Sequence, residues 1–318
     1  MTVAEPQAGS ATPQPRPTRN RPRFRQWGFG LEAVLAAALL AVSAVSVWRL
    51  NRGFPNVDAV LVSDVPAGAV LVDARGPLAY RRGHAPGARH LYARNLLTFR
   101  GAIGGQLAPH DEIVAALHRI GLHPHDTVVV YGDGSGLDAA LVTLVLQVNG
   151  VNARVLRGGA SSLGANRSSD VPRVTPSSAS FTRNARLLVT AKDSLSHIAE
   201  NAVAPLDVRS DSAYEKGHVA NAVQMPPSAF WGAGRLPRYA DFNAMLAAAR
   251  LTGDTHPLVY SDDLRSAALA WLALTAYGIS HVHVVSAPFA SLEQAGASVT
   301  TTAASAAVSR RSQSLCWK

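Results

Sequence analysis

The sequence predicts an α/β protein with two three-layer domains, each built on a central parallel sheet, behind one N-terminal transmembrane helix. Three observations predict this architecture. A nearly uncharged run follows an arginine-rich block, two blocks of sequence recur in the same order, and short apolar runs alternate with apolar residues at helical spacing. The length of 318 residues allows about two domains of ordinary size.

The composition excludes several classes of protein. With 47% hydrophobic and 16% charged residues, the chain is typical of a globular protein and not of a disordered one. Its one cysteine, Cys316, excludes a disulfide framework and any metal site built from several cysteines. The formal net charge of +9 is concentrated at the two ends of the chain. Because nucleic-acid binding needs a basic face on the folded part, we expect no nucleic-acid partner.

The N-terminal region predicts a membrane anchor. Residues 1–27 are expected to form a basic cytoplasmic N-terminus, and residues 28–48 a transmembrane signal-anchor. The run 28–48 contains one charged residue, Glu32, and as a helix it spans roughly 30 Å, about one hydrocarbon thickness. Five arginines and no acid stand in residues 16–27, so the positive-inside rule places the rest of the chain across the membrane.

Two other interpretations of this segment remain open. Small residues near its C-terminal end are compatible with a cleaved signal peptide, and a buried soluble helix is the other alternative. The long basic region before the run favours the uncleaved anchor. The Ala/Arg/Gly-rich composition favours a bacterial source, so we expect a single-pass protein of the inner membrane with its domains in the periplasm.

An internal repeat organises the rest of the chain. Residues 71–90 and 205–224 share the pattern Asp-x-Arg, Tyr, Gly-His-x-x-x-Ala at an offset of 134 positions. An apolar run ending in tyrosine follows in each copy, at Tyr131 and Tyr260. Two shared blocks in the same order indicate a duplicated domain.

Each copy alternates predicted strands and helices. In the first copy we predict strands at 70–72, 127–131 and 153–156, and helices at 111–120 and 137–148. In the second copy we predict strands at 204–206, 258–260 and 281–285, and helices at 242–251 and 265–277. A glycine is expected to end each helix, at Gly121, Gly150, Gly253 and Gly278. Such alternation with short loops indicates parallel sheets covered by helices on both faces.

These elements divide the chain into segments. The first domain is expected at 58–163 and the second at 184–298, joined by a linker at 164–183 rich in Ser, Pro, Asn and Arg. The tail at 299–318 lacks periodicity and is expected to be disordered.

The repeated blocks resemble the rhodanese family over roughly residues 58–298, and the tandem arrangement is similar to two-domain thiosulfate sulfurtransferases. In the first copy Arg157-Gly158-Gly159 also matches the family, whereas the second copy departs from it there. The resemblance implies a cysteine just after the tyrosine-ending strand, whose thiolate carries sulfur as a persulfide. It also implies a loop of inward-pointing backbone N–H groups that stabilises the thiolate and an anionic sulfur donor.

Neither copy has the cysteine that the resemblance implies. Gly132 stands at this position in the first copy and Ser261 in the second. Glycine has no side chain, and a serine hydroxyl is too weakly acidic and forms no stable carrier of sulfur. We therefore expect no catalytic residue, and we assign a binding role to the loop equivalents Asp133, Gly134, Ser135, Gly136, Asp262, Asp263, Arg265 and Ser266. The acids among them should repel thiosulfate, since one like charge at 4 Å costs roughly 4 kcal/mol at an effective dielectric constant near 20.

Several other residues have a structural and a chemical interpretation. Ser261 with His218 as base would be a hydrolytic nucleophile, but a serine before a helix is more often an N-cap, and we expect the cap. We expect His84 and His218 to bond to local backbone at a turn. The two Asp-x-Arg motifs are expected to form ion pairs at strand ends, Asp73–Arg75 and Asp207–Arg209.

Metal binding remains an alternative for two groups of histidines, His118, His123 and His125 in the first copy and His281 and His283 in the second. No cysteine or acid stands beside them at zinc-like spacing, so we expect no metal and no cofactor.

The sequence therefore favours a non-enzymatic, membrane-anchored binding or scaffold module, a pseudoenzyme with a protein partner that the sequence does not identify. The alternative is a sulfurtransferase of the thiosulfate type that uses a non-standard thiol such as Cys316. A third alternative is a sensor domain for an anion or a metal.

Overall fold

The computed structural model describes residues 55–99, 105–199 and 203–302. The predicted N-terminal block at 1–27, the anchor at 28–48 and Cys316 lie outside these residues. Within the described ranges, no helix combines the length and the apolar character that crossing a bilayer requires.

The first domain is an α/β fold on a five-stranded parallel sheet. Its helices are α1 (Val57–Val60), α2 (Pro77–Arg82), α3 (His110–Arg119) and α4 (Leu137–Val148). Its strands are β1 (Leu61–Val62), β2 (Val70–Asp73), β3 (Arg89–His90), β4 (Leu97–Thr98), β5 (Gln106–Leu107), β6 (Thr127–Tyr131) and β7 (Asn152–Leu156). The sheet order is β1-β7-β6-β2-β3, and β4 and β5 form a separate antiparallel pair.

The second domain repeats this architecture. Its helices are α5 (Ala191–Ala199), α6 (Asp211–Lys216), α7 (Tyr239–Ala248), α8 (Leu264–Tyr277) and α9 (Phe289–Ala295). Its strands are β8 (Leu188–Val189), β9 (Ala204–Asp207), β10 (His218–Val219), β11 (Val223–Gln224), β12 (Pro257–Tyr260), β13 (His283–Val285) and β14 (Val299–Thr300). The parallel sheet runs β8-β13-β12-β9-β11, which is the order of the first sheet, strand for strand. The predicted duplication and the parallel sheets are confirmed.

Helices α4 and α8 pack against each other and join the two domains. Nine of the twelve residues of α4 are buried, including positions on all its sides. One apolar stripe would be enough for a helix on the surface of one domain, whereas an apolar residue on every side indicates a helix covered all round. The second domain supplies that cover, so the largest apolar core contains residues of both domains. Smaller cores lie on the outer faces of the two sheets.

The predicted end of helix α7 is wrong. The sequence placed it at 251, before Gly253, but the helix ends at Ala248 and Arg250 adopts a left-handed backbone with φ of 56°. The amide of Leu251 donates to the carbonyl of Leu246 and closes the helix. Gly121 takes the same position after α3, with φ of 66°. The first copy has a glycine at this position and the second has Arg250, so no glycine marks the end of α7 in the sequence.

The segment predicted as a linker lies against the first domain. Ser177 donates its hydroxyl to the carbonyl of Leu122, and His118 Nε2 bonds to the carbonyl of Ala179 at 2.8 Å. Phe181 is buried and its ring lies near that of His118. Residues 169–183 contain no helix or strand, yet these contacts tie the segment to the end of α3. The amide of Asn184, just after it, donates to the carbonyl of Val148 at the end of α4.

The start of the predicted disordered tail is ordered, which corrects the prediction for Val299 and Thr300. They form β14, which pairs antiparallel with His218 and Val219 of β10. Ser168 forms the corresponding bridge with His84 in the first domain. In each copy a short extended segment thus covers the Gly-His turn. The segment has too few residues to show the alternating pattern by which a strand is predicted. The tail beyond 302 lies outside the described residues.

Candidate functional site

Two loops follow the tyrosine-ending strands and precede the packed helices, loop 1 at 132–136 and loop 2 at 261–263. Because α4 and α8 pack together, both loops lie at the boundary between the domains. Carboxyl ends of parallel strands are where α/β proteins place their ligand sites, so this boundary is the candidate functional site.

Each loop is supported by an ion pair at the end of the neighbouring strand. Arg75 lies 2.6 Å from the fully buried carboxylate of Asp73, and its guanidinium also donates to the carbonyl of Gly83. The hydrogen bond with Asp73 raises the pKa of Arg75. Arg209 repeats the arrangement with Asp207 at 2.7 Å. The predicted ion pairs are confirmed.

The Gly-His turns are structural, as predicted. Nδ1 of His84 bonds to the carbonyl of Tyr80 at 2.9 Å, and the two rings stack. Nδ1 of His218 bonds to the carbonyl of Tyr214 at 2.8 Å, again with stacked rings. The hydroxyls of the strand-ending tyrosines accept from the backbone just after each histidine. These contacts fix the sheet end against the turn.

Loop 1 is closed by its own aspartate. Oδ1 of Asp133 accepts from the backbone amide of Ser135 at 3.0 Å and from the hydroxyl of Ser135. Gly136 has φ of 72°, and a Cβ atom there would lie 2.9 Å from the ring of Trp231. The indole N–H of Trp231 donates to the carbonyl of Gly134 at 3.1 Å. A tryptophan of the second domain therefore covers the loop of the first.

Loop 2 is closed in the same way, and here the predicted cap is wrong. Asp263, not Ser261, is the N-cap of α8, and its Oδ1 accepts from the backbone amide of Arg265 at 3.0 Å. The hydroxyl of Ser261 accepts from the amide of Asp263 at 3.2 Å. Ser261 is only 5% exposed. Side chains of loop 2 thus bond one amide of the loop, that of Asp263, and one amide of the first turn of α8, that of Arg265.

The arginine that follows loop 2, in the first turn of α8, is bound to carboxylates. Arg265 lies 2.9 Å from Asp263 and 3.2 Å from Asp138 of α4. The hydrogen bond with Asp263 raises the pKa of Arg265, and Asp138 contributes in the same direction. Burial raises the pKa of Asp138, while Arg265 opposes this shift. Asp262 is 3.8 Å from Arg209. The positive charges of Arg265 and Arg209 are therefore largely neutralised.

Each loop borders a small cavity whose other wall belongs to the opposite domain. Beside loop 2 is a cavity of about 150 Å³, lined by Asp262, Asp263, Arg265 and, from the first domain, Arg94, Leu97, Phe99 and Gly105. Beside loop 1 is a cavity of about 250 Å³, lined by Gly134, Ser135, Leu137 and, from the second domain, Pro227, Ser228, Trp231, Gly232, Ala233 and Leu269. We call the two cavities together the interdomain cleft.

The predicted binding residues are only partly brought together. Five of them line the cleft, namely Gly134, Ser135, Asp262, Asp263 and Arg265. The other three do not line either cavity: Asp133 binds its own loop, and Gly136 and Ser266 are buried. Sequence reasoning missed Arg94, Asp138 and Trp231. Asp138 carried a weak signal as an acid in a first helical turn, but the other two lie in parts of the chain with no repeated motif.

In the described part of the chain, the histidines considered as metal ligands do not form a metal site. No group of three or more His, Cys, Asp or Glu residues is placed there to hold a metal ion. His118 is bonded to the backbone of Ala179, and His123 lies 3.8 Å from Asp126.

Comparison with known proteins relates both domains to one family. Residues 61–166 and 190–294 match the family model described as a rhodanese-like domain. A protein of Synechococcus elongatus, provisionally named a thiosulfate sulfurtransferase, is 37% identical to this chain over 92 residues. That match covers 28% of this chain and 29% of the relative, so it spans less than a third of the relative's length.

Solved structures share the fold at low sequence identity. SseA from Escherichia coli, described as a 3-mercaptopyruvate sulfotransferase, matches with a TM-score of 0.63 at 19% identity, over 70% of this chain and 93% of that chain. Wild-type EanB matches with a TM-score of 0.66 at 18% identity, over 75% of this chain and 65% of that chain. At these identities the likeness concerns the fold and not the activity.

Proposed function

This chain belongs to the rhodanese-like family, and on that premise we propose that it is a catalytically degenerate member, a binding module that uses the interdomain cleft to hold a partner. The observation that carries the proposal is the state of the two loops. Gly132 and Ser261 stand where the family chemistry needs a thiolate, and an aspartate of each loop accepts from a backbone amide two residues further on, that of Ser135 or of Arg265.

Sulfur transfer needs a site that attracts an anionic sulfur donor, whereas the two loops carry negative charge. Asp133 and Asp262 are exposed at the two loops. The guanidinium of Arg265, which would otherwise attract a sulfur donor, is held by two carboxylates. A thiosulfate dianion entering here would have to displace these bonds and approach the acids, which opposes binding.

The cleft favours a protein partner over a small substrate. Its walls combine exposed aromatic and apolar surface, with Phe99 53% exposed and Trp231 partly buried, and charged groups at the rim. Aromatic residues beside a polar rim are typical of protein interfaces. A segment that inserts an apolar side chain beside Trp231 and a basic one near Asp262 would match both cavities.

We further propose that residues 28–48 anchor the chain in a bacterial inner membrane, with the two domains in the periplasm. The support is the arginine block before an apolar run of helical length. A protease-accessibility assay on intact spheroplasts, with tags at either end, tests it. Protection of an N-terminal tag and digestion of a tag after 318 are expected, and the reverse pattern would refute the topology.

The second candidate is an active sulfurtransferase, favoured by the provisional name of the relative that is 37% identical over 92 residues. This function needs another thiol, and Cys316 is the one cysteine of the chain. A thiosulfate:cyanide assay on the purified full chain separates the two candidates. We expect no thiocyanate above the uncatalysed background. Activity in the wild type that disappears in Cys316→Ser would support the sulfurtransferase and end the proposal of degeneracy.

A further inference from the structure

A third cavity lies between the domains, far from the two loops. It has a volume of about 330 Å³ and is lined by Gln147 of the first domain and, from the second domain, chiefly by Asn184, Arg186, Trp271, His281 and His283. Gln147 is in the last turn of α4, whereas loop 1 precedes its first turn. The cavity is therefore at the opposite end of the helix pair and separate from the cleft.

The lining of this cavity contains basic residues and no acid. Its polar lining consists of amides, hydroxyls, Arg186 and two histidines, and no Asp or Glu is among the lining residues. Leu187 adds apolar surface, whereas Trp271 is only 2% exposed and offers little. Donor groups without an acid favour an anionic ligand.

The two histidines belong to a larger cluster. The ring of His256 lies 4.7 Å from that of His281 and 6.3 Å from that of His283. His197 of α5 stacks on His283 at 5.4 Å. The cluster therefore joins α5 to the starts of β12 and β13 through four imidazoles.

No acid is among the groups that shift the pKa of His283. Burial lowers the pKa of His283, and the neighbouring His197, His256 and His281 lower it further, while the carbonyl of Arg186, which accepts from Nδ1 at 2.7 Å, opposes the shift. The three histidines are the titratable side chains that act on it, and Arg186 acts only through its backbone carbonyl. A bound anion would supply the missing negative charge.

The ring arrangement favours an anion over a metal ion. His256 and His281 are stacked with 29° between their planes, so their nitrogens do not converge on one point. In the ranges that the structure describes, no trio of possible ligands is placed around a metal position.

We propose that this cavity binds a small carboxylate, which pairs with the side chains of His281 and His283. The site is independent of the interdomain cleft, and it links ligand binding to proton uptake. Affinity therefore increases as the pH falls, by about tenfold per pH unit when one proton is taken up with each anion.

The test is isothermal titration of the purified full chain with benzoate at pH 6.0 and pH 8.0. We expect benzoate to bind at pH 6.0 and to bind at least about tenfold more weakly at pH 8.0. His281→Gln combined with His283→Gln is expected to weaken binding at pH 6.0 by at least about tenfold. The matched control is His125→Gln, at an exposed histidine of the first domain, which should leave the titration unchanged while circular dichroism verifies the fold of each variant.

Two further probes separate the ligand classes. Inorganic sulfate should displace benzoate at pH 6.0, because both anions need the same donor groups, and failure to displace it would overturn the anion site. Benzoate affinity that is the same at both pH values, or that survives in the double variant, would overturn the site. Saturable zinc binding without benzoate binding would also overturn it in favour of a metal site.

Discussion

Arg265, in the first turn of α8, lies 3.2 Å from Asp138, in the first turn of α4. The two residues are 127 positions apart and belong to different domains. Asp138 is 15% exposed and Arg265 30% exposed, so water screens the pair only in part. This ion pair connects the two helices whose packing places both candidate loops at one boundary.

Removing this ion pair should destabilise the protein. Asp138→Asn is expected to lower the free energy of unfolding by about 1–2 kcal/mol, because Arg265 loses a partly buried partner and keeps only Asp263. A double-mutant cycle with Arg265→Met, followed by urea unfolding, should give a coupling energy of about 1 kcal/mol.

The exposed pair Arg238–Asp241 is the matched control, since its side chains are 81% and 60% exposed. Its cycle, Arg238→Met with Asp241→Asn, should give a coupling energy below about 0.5 kcal/mol. Equal coupling energies in the two cycles would show that the partly buried position between the domains does not strengthen the Asp138–Arg265 ion pair.

Restoring a thiol to loop 2 should not restore sulfur transfer. Ser261→Cys is nearly isosteric, but Asp262 and Asp263 would stay beside the new thiol. We expect no measurable thiosulfate:cyanide activity for Ser261→Cys alone. Adding Asp262→Asn and Asp263→Ser, which keeps a capping side chain, should raise reactivity toward thiosulfate by at least about tenfold.

Gly132→Cys serves as the comparison in loop 1. A Cβ atom there would lie 3.2 Å from the Cβ of Ala139, so the site has less room and should be less active still. Turnover by Ser261→Cys alone would mean that the loop still accepts an anion, and the charge argument would then fail.

Replacing Arg250 with glycine should stabilise the second domain. Arg250 has φ of 56°, and a left-handed backbone costs a residue with a Cβ atom about 1 kcal/mol. Arg250→Gly is therefore expected to raise the free energy of unfolding by about 1 kcal/mol in a urea titration.

Gly253→Ala is the control, because Gly253 is not in the left-handed region and a Cβ atom there meets nothing within 4 Å. We expect this change to be neutral or slightly stabilising. Should Gly253→Ala destabilise and Arg250→Gly have no effect, the helix end would lie where the sequence pattern placed it.

The pKa of His283 gives stability a defined dependence on pH. Its pKa is lowered from the ordinary 6.5 on folding, so the unfolded chain binds more protons in the interval between the two values. The contribution of neutral His283 is therefore present above about pH 6.5 and is lost as the pH falls through the folded value. Urea unfolding at pH 7.5 and pH 5.5 should show a smaller loss for His283→Gln than for wild type.

The same measurement on His125→Gln should reproduce the wild-type loss, since His125 is exposed and lies outside the cluster. An unchanged pH dependence in His283→Gln would contradict the role assigned to this histidine.

The sequence by itself determined the duplicated domain, most strands and helices, the Asp-x-Arg ion pairs, the Gly-His turns and the residues at 132 and 261. These features are local: a buried strand, a helix stripe or a pair two positions apart depends on neighbours in the chain. Repetition strengthened each of them, because a weak pattern in one copy was supported by the other.

Only the tertiary structure decided how the two copies meet. The docking of α4 on α8 brings Trp231 onto loop 1 and joins Arg265 to Asp138. Within the second domain, the fold gathers four histidines from three elements. None of these groupings can be read from residues that are neighbours in the chain. The left-handed Arg250 and the short strand at Val299 were hidden for a related reason. A backbone conformation unusual for the residue is held by its surroundings, and two residues are too few to show a period.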